Sequence, residues 1–228
     1  IAVPYSGDLN PDAHPDHKGA WPSDLFYGSI TGSWTDVTVN DAAASYAANR
    51  NTPGDGKYDQ TYHTAATELQ VSRIDFYDMP AFSNTEVQRM DNYLAKDHTY
   101  KMDSLTVIRK GLLSDNFGYM TGEAFAANGW RNFAPLLGRD SIVTTTTLIS
   151  DLASTPYQWA YGCGGGSFTS CSGVGNTGNF ATAGSCNAIF TMLFGSYFGD
   201  WNVTNNFLRA PLCCNPPALT NCWAGRPN

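Results

Sequence analysis

From Glu68 onward, short β-branched or aromatic runs alternate with segments of helical period, and this alternation limits the fold more than any other property of the chain. Leu69-Gln70-Val71 reads as a strand. Ser83-Asn84-Thr85-Glu86 has capping-box spacing and opens a helix to about Tyr100, with Val87, Met90, Tyr93 and Leu94 on one apolar face. Leu105 to Arg109 reads as a strand and Thr121 to Leu137 as a helix stopped by Gly138. Ser141 to Thr147, Tyr157 to Tyr161, Ala188 to Phe194 and Leu219 to Trp223 complete the strands. Strands separated by helices imply an α/β fold, with a mostly parallel sheet flanked by helices. Its sites belong at the carboxyl ends of strands, which points to the loops after Tyr161 and Phe194. Residues 1 to about 66 are punctuated by Pro, Gly, Asn and Asp and read as long ordered loops. A chain of 228 residues, 42% hydrophobic, can bury one full core, so a single domain over 1–228 is expected, whether whole or part of a longer exported protein.

With 13 basic against 20 acidic residues the net charge is -7, which argues against nucleic acid or an anionic membrane as the main partner. The longest apolar runs fall far short of the roughly 20 residues of a membrane helix. All six cysteines lie in the last third, without the paired spacing of a zinc site. An oxidising compartment and short local disulfides are expected, for instance Cys163 to Cys171 and Cys222 to Cys213 or Cys214; buried free thiols are the alternative.

Two loops carry oxygen ligands at spacings that can surround calcium, a hard cation that takes six to eight oxygens. Asp8, Asn10 and Asp12 stand two residues apart, and Asn49, Asn51, Asp55 and Asp59 form the second set, with Gly54 and Gly56 free to take positive φ. Asp24 and Asp36 could add ligands, and an Asx-turn loop without an ion is the alternative.

Pro22-Ser23-Asp24-Leu25-Phe26-Tyr27, the run Gly32 to Asp36, Pro53-Gly54-Asp55-Gly56-Lys57-Tyr58-Asp59 and the segment Glu68 to Asp75 together resemble the gingipain family of secreted cysteine peptidases. Ser72-Arg73-Ile74 matches that family's Gly-Arg-hydrophobic triplet. The resemblance implies a caspase-like sandwich, structural calcium, and a His-Cys dyad after two neighbouring strands. In its register Gly165 falls where the histidine should be and Ser196 where the cysteine should be. A serine without an adjacent base is a poor nucleophile near neutral pH. Of the four histidines, His14, His17, His63 and His98, only His63 is a plausible distant base.

Cys163 and Cys186 are the rival nucleophiles, although Cys186 precedes its strand. The Gly162 to Gly166 run lacks the Lys-Ser/Thr of a phosphate loop. Tyr157, Trp159, Tyr197, Phe198 and Trp201 are expected around the site loops, as core or as a ligand platform. The reading is a secreted or cell-surface domain of peptidase fold, without the dyad. It would act by binding a protein or glycan partner or by self-assembly. An active cysteine endopeptidase and a glycan-binding adhesive module are the alternatives.

Overall fold

A computed structural model describes residues 5–6, 18–62, 64–117 and 125–223, with the backbone alone for Ser6 and 125–128. It divides into two compact units, 1–74 and 75–228. In the first, β1 (Tyr5–Ser6) pairs antiparallel with β2 (Trp21–Pro22). Among its described residues Ala20, Pro22 and Ala44 are the buried apolar side chains. Phe26 stacks on Tyr58 at 5.0 Å, and Trp34 lies 5.4 Å from Tyr58.

Carboxylates tie the loops of this unit. Asp36 accepts the amides of Gly54 (2.8 Å) and Gly56 (2.6 Å), both glycines at the positive φ their sequence position predicts. Asp24 holds Arg73 through two hydrogen bonds of 2.8 and 2.6 Å, joining two of the motifs that carry the gingipain resemblance. The predicted strand at Leu69 to Val71 is not one. The amides of Glu68 and Leu69 go to the Gly28 carbonyl, and Leu69 and Val71 stay 49% and 42% exposed.

In the second unit β3 (Gly111–Asp115), β4 (Ile142–Thr144), β5 (Tyr157–Cys163), β9 (Ala188–Phe194) and β10 (Thr220–Cys222) form one sheet, every neighbouring pair parallel. The order is β10-β9-β5-β3-β4, which is 2-1-3-4-5 counted along the chain and is a doubly wound α/β arrangement. Between β5 and β9 lie three two-residue strands, β6 (Gly166–Ser167), β7 (Ser170–Cys171) and β8 (Gly175–Asn176), in a small antiparallel sheet.

A sheet of this kind must be covered on both faces. On one face Leu112, Ala160 and Leu193 pack with Met90 and Tyr93 of α1 (Glu86–Lys101), Leu148, Ile149 and Leu152 of α3 (Leu148–Ser154) and Phe180 of α4 (Thr177–Ala183). On the other, Leu113, Tyr161 and Cys163 pack with Phe133 and Leu137 of α2 (Phe125–Leu137). The buried guanidinium of Arg89 ties the entry to α1, donating to the carbonyls of Phe76, Met79 and Phe82 at 2.9 to 3.0 Å.

Several boundaries differ from the sequence reading. The capping box is Thr85 with Gln88, two residues later than Ser83 with Glu86, so Arg89, Met90 and Tyr93 turn inward while Val87 is 70% exposed. The strand expected at Leu105 to Arg109 lies at Gly111–Asp115, where the buried Leu112 and Leu113 can be covered on opposite faces. Of the Thr121 to Leu137 helix, residues 121–124 lie outside the described residues. The run Ser141 to Thr147 leaves the sheet at Thr144 because Thr145 and Thr147 turn to the Asp151 carboxylate of α3. Among the described residues no helix is long and apolar enough to cross a membrane.

Candidate functional site at the carboxyl edge of the sheet

β5 ends at Cys163 and β9 at Phe194, where the Gly164 amide donates to the Phe194 carbonyl at 3.1 Å. Beyond these ends the two loops touch. A Cβ on Gly166 would stand 2.3 Å from the Ser196 oxygen and 2.4 Å from its nitrogen, so only glycine allows this approach. Gly165 is exposed, its nearest neighbour, Ser172, 3.9 Å from an added Cβ, and Ser196 is exposed as well. The fold thus brings together the two loops to which the gingipain resemblance points, and Gly165 and Ser196 supply neither imidazole nor thiol.

The Ser196 loop is tightly held. Trp223 Nε1 donates to the Gly195 carbonyl (2.9 Å), and buried Asn206 donates to the carbonyls of Phe198 and Asp200. Tyr197 takes φ 67°, a strained value for a bulky residue, with its ring 5.2 Å from that of Phe168.

Neither rival cysteine is placed to attack. Cys163 is fully buried and its Sγ donates to Asp115 Oδ1 at 3.4 Å; burial first, and then the Asp115 carboxylate, push the thiol up to about 12. Cys186 is fully buried before the amino end of β9, and burial raises it to about 11. Both are thiols and not thiolates near neutral pH. Lys96 donates to the carbonyls of Cys186 and Ala188, and the Tyr100 ring meets Phe190 at 5.7 Å. His98, two residues from each on α1, is exposed on the side of the helix turned away from β9. His14, His17 and His63 lie outside the described residues.

The switch in strand order falls between β3 and β5, the usual place for a ligand crevice in such sheets. Asn116 fills it: its backbone amide and its Nδ2 both donate to the Cys163 carbonyl, at 2.9 and 3.1 Å. Beside it lies an open cleft of about 530 Å³ lined by Leu113, Asp115 and Thr144 to Thr146. Sequence reasoning missed Asp115 because it ended the strand at Arg109; an acidic residue closing the buried Gly111 to Ser114 run was the available signal.

Asp8, Asn10 and Asp12 lie outside the described residues. In the second loop Asp59 accepts Thr35 Oγ1 (2.8 Å) and the amides of Val37 (3.0 Å), Thr38 (3.2 Å) and Val39 (2.8 Å). Desolvation raises its pKa, but these bonds together outweigh it and hold the carboxyl well below the usual range. Asp55 accepts the amides of Thr52 and Lys57 and the Lys57 ammonium, each at 3.0 Å. Asn51 gives its Nδ2 to the Tyr58 carbonyl, and Asn49 Oδ1 is buried without a hydrogen-bond partner. The carboxylates of Asp55 and Asp59 are thus engaged by amide donors, and no group of three His, Cys, Asp or Glu suited to a metal occurs among the described residues. Asp24 is taken by Arg73 and Asp36 by the glycine amides.

The six cysteines are free, and neither predicted link is formed. Cys163 and Cys171 are both fully buried, and they stand near enough that a charge on Cys163 raises the Cys171 pKa. Cys222 is exposed on edge strand β10 while Cys213 and Cys214 are buried. The expected aromatic cluster also divides: Tyr157 and Trp159 lie in the amino half of β5, where Trp159 meets Phe190 at 4.8 Å, and Phe198 is fully buried core. No family model matches the chain, and neither a curated protein nor a solved structure matches it.

Proposed function

We propose that this chain is a gingipain-like domain that has kept the peptidase scaffold and lost the chemistry, and that it acts by binding. The observation that supports the reading is the close approach of the Gly166 and Ser196 backbones, which joins the two loops to which the resemblance assigns the base and the thiol. A serine hydroxyl there has no neighbouring imidazole among the described residues to take its proton. The inert environments of Cys163 and Cys186 weigh against the endopeptidase alternative. Export to the medium or cell surface belongs to the same proposal and rests on the resemblance.

Thiol accessibility tests it. Brief iodoacetamide treatment of the folded protein at neutral pH should alkylate Cys222, which is exposed, and leave Cys163 and Cys186 unmodified. Rapid, selective alkylation of Cys163 or Cys186 would support the hydrolase alternative instead.

A further inference from the structure

A second cleft, of about 410 Å³, opens on the α3 and α4 side of the sheet and shares Thr146 with the Asp115 cleft. Its floor is apolar: Ile149 and Val174 are buried, with Ala183 beside them. Its rim is hydroxyl and amide, from Ser150, Asn179 and Thr182. Asn179 spends its backbone amide and Oδ1 on the capping box with Asn176, which leaves Nδ2 as a donor. The nearby carboxylate of Asp151 is occupied by the hydroxyls of Thr145 and Thr147. No charged side chain lines this cleft.

An apolar floor with an uncharged donor and acceptor rim favours a neutral ligand over phosphates, acidic sugars and basic peptides, to which it offers no opposite charge. It matches a ligand with one C–H face and a ring of hydroxyls. We infer that the α3–α4 cleft binds a neutral carbohydrate chain, continuing past Thr146 toward the threonines of the Asp115 cleft. Both volumes fall in the range of about 300 to 1,000 Å³ usual for ligand sites. Exposed hydroxyl bonds replace bonds to water, so each contributes little and affinity comes from several together. This inference rests on the binding part of the proposed function and not on the loss of catalysis, so sugar binding and peptide digestion fail independently.

The test is saturation-transfer NMR of the full chain with maltohexaose, cellohexaose, xylohexaose and chitohexaose, with polygalacturonate as the acidic control. At least one neutral chain should receive saturation and shift amides of residues 146–150 and 174–183. Ser150→Ala, Thr182→Val and Asn179→Asp keep the fold, the last by preserving the cap acceptor, and each should weaken binding about fivefold. Absence of transfer to every neutral chain, a preference for polygalacturonate, or binding indifferent to all three substitutions would overturn the inference.

Discussion

Gly165 and Gly166 are adjacent, yet the structure asks different things of them. An added methyl at 166 would meet the Ser196 backbone at 2.3 Å, while at 165 the first neighbour is 3.9 Å away. Gly166→Ala should therefore destabilise the protein by about 1–3 kcal/mol through overpacking, and Gly165→Ala should be close to neutral. Chemical denaturation of the two variants checks this, and equal effects would mean that the loops do not touch. Arg89 is a second decisive residue, because its buried guanidinium donates to the carbonyls of Phe76, Met79 and Phe82. Arg89→Met should cost about 3 kcal/mol by removing those three donated bonds from a buried site. The strands that precede the Gly165 and Ser196 loops were legible in the sequence because Tyr157 to Tyr161 and Ala188 to Phe194 are largely apolar runs. Asp115 was not, because Lys110-Gly111-Leu112-Leu113-Ser114-Asp115 mixes polar and apolar residues and hides where the strand runs.

At the scale of elements, the loops of residues 35–59 are held by carboxylates enclosed in amide donors. Asp59 is the clearest case, its folded pKa lying well below the ordinary 3.8. A carboxyl depressed in this way contributes stability that is present above the unfolded pKa and is lost as pH falls through the folded value. Stability of the first unit should thus decline from about pH 4 downward, and Asp59→Asn should be less stable at pH 7 with a flatter acid limb. Melting curves from pH 7 to pH 2 measure this, and parallel acid limbs for both proteins would contradict it. The same loops show why the calcium reading of Asn49, Asn51, Asp55 and Asp59 was natural from spacing alone. Alternating oxygen-bearing side chains can wrap an ion or cap neighbouring amides, and only their orientation separates the two. α3 and α4, seven residues each, were too short to show a period, and α3 follows directly on the threonine-rich run Thr144 to Thr147 that reads as strand.

For the whole molecule, the two units differ in how they are held together. The second contains both hydrophobic clusters and the five-stranded sheet, whereas Ala20, Pro22 and Ala44 are the buried apolar side chains among the described residues of the first. Residues 75–228 expressed alone should unfold cooperatively, and residues 1–74 alone should not, as calorimetry of the two fragments would show. The α/β class was recoverable from alternation, since Tyr157 to Cys163 and Ala188 to Phe194 are strong strands. The central proposal concerns the edge those strands create, where two loops that the gingipain resemblance singles out meet without an imidazole or a thiolate. Its most direct measurement is digestion of an unbiased peptide library by the unmodified chain, with and without a thiol-directed inactivator. The account predicts no cleavage above background in either condition. Inactivator-sensitive turnover, abolished by Cys163→Ala or Cys186→Ala, would contradict it.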